Sequence, residues 1–192
     1  MNKFFLYISS FMVFLIVGCY DETKSLVVFD EIGIDKNTLG IYSSNDRLLS
    51  LCYKNSKYTA NYILEEGGYL QGNFVPSKVN GTKDFYIFSF PEINGYNYDK
   101  DKKRKNRENR KNAIFYSKVE NNNLLLWLNF LSDEDEKKST STIKQIISKS
   151  YSKTFTEESI TFLKIGECSS VNDILLKVEK LKKKYSHFKE EK

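Results

Sequence analysis

The sequence predicts a mainly β domain of α+β type, an antiparallel β sandwich or partly open barrel, with helices at its C-terminal end. Two observations carry this. Between residues 38 and 131, short apolar and aromatic runs recur, divided by turns rich in Asn, Gly and Ser. After Ser132 those runs give way to apolar residues spaced by three and four.

Residues 20–25 are polar and are expected to form a short tether. Residues 48–53 and 58–64 read as successive strands split by Lys54-Asn55-Ser56-Lys57. Gly67-Gly68 marks the next turn and residues 69–75 a third strand. Residues 76–81 read as a loop ending in the turn pair Asn80-Gly81. Residues 85–90 are strongly β-prone, and Pro91 is expected to end that strand. Residues 113–119 and 124–131 pair across Glu120-Asn121-Asn122-Asn123. In the last run Leu124, Leu126, Leu128 and Phe130 share one face while Leu125, Trp127 and Leu131 share the other, which predicts a strand covered on both sides.

Residues 133–138 are a charged connection. Ile143, Ile146 and Ile147 have helical spacing, and Thr156 is placed to cap a short helix through Leu163. Ser170 precedes Asp173 by three, a variant of the capping box. Behind it Val171, Ile174, Leu175, Val178, Leu181, Tyr185 and Phe188 form one apolar stripe. Lys177, Lys180 and Lys182, Lys183 and Lys184 crowd the opposite face; packing of the stripe on a sheet is the expected reading, with membrane apposition as the alternative.

The first nineteen residues carry a different signal. Lys3 precedes fourteen largely apolar residues, 4–17, and Gly18-Cys19 closes them. A helix of that length, at about 1.5 Å per residue, falls short of a roughly 30 Å hydrocarbon core. A charged start, a short apolar core and a small residue before the cut fit an export signal. Ile16-Val17-Gly18-Cys19 resembles the lipobox of bacterial lipoproteins. The resemblance implies that signal peptidase II cuts before Cys19 and that the Cys19 thiol is acylated, with palmitate or similar chains. Residues 1–18 are then a signal peptide, 19–25 a lipidated tether, and 26–192 a single β-rich domain whose helical part spans about 139–188. Two or more acyl chains anchor stably, at about 0.8 kcal/mol per buried CH₂. Tyr20 and Asp21 follow the cysteine, and Tyr20 stands where inner-membrane lipoproteins of enterobacteria carry Asp. The expected location is thus the cell envelope, with the outer membrane favoured if the cell is Gram-negative.

The mature chain also resembles a loose group of small β-rich bacterial lipoproteins with a helical tail. The matching residues are Leu39-Gly40-Ile41-Tyr42, Leu125-Leu126-Trp127-Leu128, and Thr156-Glu157-Glu158 before Phe162-Leu163, across residues 38–165. This resemblance implies a fold and lends no catalytic residues.

The chain carries +5 at neutral pH. Residues 100–111 hold eight cations and two acids, and this run looks like an insertion relative to that group. Lys102, Lys103, Arg104, Lys105, Arg107, Arg110 and Lys111 are the candidate contacts to an anionic surface: phospholipid headgroups, lipopolysaccharide phosphates or an acidic protein. Export excludes nucleic acid, the usual partner of such a cluster. Near an anionic membrane each cation contributes about 1 kcal/mol. The expected reading is nonetheless a mobile, solvated loop between Tyr98 and Ala113, because like charges extend a chain, with the anionic contact as the alternative. Cys52 and Cys168 are a candidate disulfide in an exported protein.

Catalytic signatures are sparse. His187 is the lone histidine, near the end of the chain and in a lysine-rich setting, which removes most His-based triads and all multi-histidine metal sites. No Gly-x-Ser-x-Gly elbow, phosphate loop or Cys-x-x-Cys occurs. Glu65-Glu66 and the acids of residues 133–136 are adjacent carboxylates in polar stretches, as expected of solvated surface. Neither an enzyme nor a cofactor or metal is expected. The function this supports is a lipid-anchored envelope protein binding a macromolecular partner or an envelope surface. The alternative is an immunity lipoprotein that neutralises a toxin delivered to the envelope.

Overall fold

The computed structural model describes residues 21–185, apart from 46, 65–67, 80, 83, 100–103, 128–130, 133 and 155–158. Among these residues ten strands and two α-helices follow in the order β1 (Asp21–Glu22), β2 (Asp30–Glu31), β3 (Gly40–Ser44), β4 (Arg47–Lys54), β5 (Lys57–Leu64), β6 (Gly68–Lys78), β7 (Phe85–Asp99), β8 (Arg104–Glu120), β9 (Asn123–Trp127), α1 (Thr140–Thr154), β10 (Ser159–Gly166) and α2 (Val171–Tyr185). Strands β3 to β10 pair antiparallel with their sequence neighbours, and β10 also pairs with β3. The circuit closes, so the architecture is an eight-stranded antiparallel barrel. Of the two predicted options the structure supports the barrel, here closed, and corrects the sandwich.

Local chemistry sets the register. Asn55 and Ser56, and again Asn121 and Asn122, have positive φ. Two-residue turns of that kind match the twist of antiparallel strands, and here they join Lys54 to Lys57 and Glu120 to Asn123. Both hairpins follow the sequence expectation. Pro91 does not end its strand. Strand β7 runs through it, with the β6–β7 register shifting by one residue between Asn73 and Val75. The bulge falls at Phe90-Pro91, where the missing N–H of proline breaks no ladder bond. Likewise β6 continues through Pro76 to Lys78, residues assigned to a loop from sequence.

Two further expectations are overturned. Residues 159–166 form β10 and not the end of a helix capped by Thr156. Ile160 and Phe162 alternate with the exposed Thr161 and Leu163, and their strand fills the gap between β9 and β3 that would otherwise leave two open edges. The polar residues after position 20 are not a free tether either. Asp21 pairs with Ile114 and Glu22 with Ala113, and the buried Thr23 donates its N–H to Asn112 O at 3.2 Å.

The hydrophobic core has three parts. Inside the barrel lie Tyr42, Leu49, Leu51, Tyr62, Phe74, Phe88, Phe90, Leu124 and Phe162, with their neighbours. Outside β7–β9, helix α1 inserts Ile143 and Ile147 against Ile87, Ile114, Tyr116 and Trp127, and the N-terminal segment adds Val27. Ser139 starts this helix, its Oγ accepting from Thr142 N at 3.3 Å. Outside β3–β5, helix α2 inserts Val171, Ile174 and Val178 against Ile41, Cys52 and Ile63. Leu124 and Leu126 face the barrel interior while Leu125 and Trp127 face α1, so β9 is covered on both sides as its sequence predicts.

Candidate functional site

The cationic run does not form a loop. From Arg104 to Lys111 it is the first half of β8, paired residue for residue with β7 from Asp99 back to Glu92. Arg104 stands opposite Asp99, Lys105 opposite Tyr98, Arg107 opposite Tyr96, Arg110 opposite Ile93 and Lys111 opposite Glu92. A chain dense in like charge adopts a strand here because β6 and β7 continue into the same region, with Gly68 pairing Asn97, and offer a ready template. Gly95 permits the close approach: a Cβ there would meet Tyr69 O at 2.4 Å. Lys102 and Lys103 lie outside the described residues.

Among the described residues this half of β8 is a sheet edge. Strand β9 pairs β8 only over Tyr116 to Glu120, and β1 pairs it at Ala113 and Ile114. Among the described residues no strand pairs the other edge between Arg104 and Lys111. Lys111 is exposed, while Arg110 is half-buried and lies 3.7 Å from Glu22 Oε2. The cations are thus carried on a framework, beside the segment that leads to Cys19.

Cys19 and the lipobox residues Ile16, Val17 and Gly18 lie outside the described residues.

Cys52 on β4 and Cys168, in the 3-10 turn before α2, form a disulfide with Cα atoms 5.6 Å apart. Cys168 Sγ also lies 3.1 Å from Leu51 O, a contact rather than a hydrogen bond because the bonded sulfur has no proton. The lysines of α2 divide as the packing reading requires. Lys182 donates to Gln71 Oε1 at 3.0 Å and to Glu179 Oε1 at 2.8 Å, and Lys177, Lys180, Lys183 and Lys184 are exposed. Among the described residues no three His, Cys, Asp or Glu side chains converge. No helix among them is long and apolar enough to cross a membrane.

Sequence reasoning missed the barrel interior. Tyr58, Ala60, Tyr62 and Leu64 alternate along β5, a signal present in the sequence, but only closure of the sheet brings them opposite β7 and β9. Burial pushes the Tyr42 and Tyr62 hydroxyls far above the ordinary tyrosine range, most strongly by loss of solvent. Tyr42 donates to Thr38 O at 2.6 Å. The buried Tyr62 hydroxyl has no hydrogen-bond partner among the described residues. Compared with protein-family models, curated proteins and solved structures, the chain matches none.

Proposed function

We propose that this protein is a lipid-anchored, non-catalytic binding protein of a bacterial cell envelope, which engages an anionic partner through the cationic edge of β8. The supporting observation is the register that holds Arg104 to Lys111 as a strand beside β7. A paired strand has its backbone ordered before binding, so less conformational entropy is lost on contact than from a free loop. The unpaired edge adds backbone donors and acceptors beside the charge, the combination used when an extended partner segment joins a sheet.

Charge on an edge strand also has a purely protective role, blocking edge-to-edge association. The test separates the two. A photo-reactive residue at Lys111 in the acylated protein is irradiated in the native envelope, with and without Arg104, Lys105, Arg107 and Arg110 changed to Gln. A discrete crosslinked adduct that the neutral variant loses, while remaining monomeric, supports binding. An adduct insensitive to the substitutions, or self-association of the variant as the sole change, refutes it.

A further inference from the structure

The open stretch of β8 is bounded by segments whose courses are on view. Strand β9 pairs β8 from Tyr116 to Glu120, and β1 holds Ala113 and Ile114. Past β1 the chain turns away from the sheet. Thr23 N–H donates to Asn112 O, the Asn112 side-chain amide donates to Lys24 O at 3.1 Å, and Val27 already packs in the cluster under α1. Asn112 has φ 57°, in the left-handed region, so regular strand geometry breaks there. From Arg104 to Asn109, β8 therefore has β7 along one side and, among the described residues, no strand along the other.

Alternation along β8 puts Lys105, Arg107 and Asn109 on one face and Arg104, Asn106 and Glu108 on the other. The register then separates the cations by what stands beside them. Arg104 is opposite Asp99, Lys111 is opposite Glu92, and Arg110 lies near Glu22. Lys105 and Arg107 are opposite Tyr98 and Tyr96 instead, two residues apart on one face. Opposite charges across a strand pair are favourable, and like charges directly opposite are not. An acid supplied from the open side is thus favoured at Lys105 and Arg107 and disfavoured at Glu108. A flat anionic surface fits this pattern poorly, since it meets one face at a time and leaves the backbone groups of the edge unmatched. An added strand lies beside both faces and bonds to that backbone.

Resting on the anionic reading of this edge, we infer that its partner is an extended acidic peptide segment that adds to β8 as a further strand. Its carboxylates occupy two alternate positions, opposite Lys105 and Arg107, with a non-acidic residue opposite Glu108. An antiparallel partner reads, from its N-terminus, non-acid, acid, any residue, acid.

The acylated protein, held in nanodiscs of zwitterionic lipid, is titrated against two fluorescent heptapeptides of identical composition, with anisotropy as the readout. One is Thr-Val-Glu-Thr-Glu-Val-Thr and the other Thr-Val-Glu-Glu-Thr-Val-Thr. The alternating peptide should bind about threefold more tightly, the effect of one cross-strand ion pair, and Lys105→Gln with Arg107→Gln should abolish binding of both. Methylating the amide nitrogens of one alternate set of its residues should abolish binding, while methylating the other set leaves it, because only one edge of an added strand faces β8. Equal affinity of the two isomers, or equal effects of the two methylations, overturns strand addition; loss of binding in the Gln variant then still supports an anionic partner. Saturable binding to phosphatidylglycerol vesicles in place of either peptide overturns the peptide class alone and assigns the edge to lipid headgroups. Peptide binding that persists in the Gln variant overturns the anionic reading itself.

Discussion

Removing the disulfide is the perturbation whose size the structure fixes best. Cys52 and Cys168 are separated by 116 residues, and closing a loop of that length lowers the entropy of the unfolded chain by an amount worth about 4.8 kcal/mol at 25 °C. Cys52 is 3% exposed and packs in the cluster that holds α2, so Cys52→Ala with Cys168→Ala also removes buried sulfur, an effect of the same sign. For a domain of this size the loss corresponds to a fall in Tm of about 13 °C. The assay is thermal unfolding followed by circular dichroism, comparing the double variant with the wild type in oxidising buffer. A drop below about 3 °C refutes the reasoning, because it means the bridge adds nothing to the constraint that packing of α2 already imposes.

Other perturbations follow from the same structure. Ile147→Ala removes a fully buried side chain from the α1 contact and should cost about 2–4 kcal/mol in a urea titration. Arg110→Gln breaks a partly exposed pair with Glu22, so its change in stability should stay below about 1 kcal/mol in the same titration. Tyr42 and Tyr62 have raised folded-state pKa values, so their contribution to stability is complete below the ordinary tyrosine pKa near 10 and is lost as pH rises above it. Absorbance at 295 nm should show these two phenols ionising only together with unfolding. Ionisation of every tyrosine in the native state contradicts their burial.

The sequence made the hairpins legible because their turns are encoded locally. Asn55-Ser56 and Asn121-Asn122 tolerate positive φ, and the flanking alternation sets the faces. Helix α2 was equally legible from its apolar stripe, and its faces lie as the stripe predicts. What failed depended on contacts distant in sequence. Residues 159–166 have a capping residue upstream and an ambiguous apolar pattern, and only pairing with both β3 and β9 selects the strand. The cationic run looked like a loop because charge repulsion is a local argument, while its pairing with β7 is not. Pro91 reads as a terminator because a bulge needs a partner strand to exist. The run Leu26-Val27-Val28-Phe29 carried a usable signal, since Val27 is buried under α1, yet its position after the polar segment hid it. Within the candidate sites, charge was readable residue by residue. The open edge that carries it was not, since that depends on where β1 and β9 stop along β8.

The central claim is that this barrel is held to a membrane through Cys19. The most direct measurement is the intact mass of the protein extracted from its native membrane, with sequencing of its N-terminal peptide. The account predicts a chain that begins at Cys19 and carries acyl groups on that residue, with Cys19→Ser accumulating as unacylated precursor. A wild-type chain that still begins at Met1, or begins at Cys19 with an unmodified thiol, contradicts it.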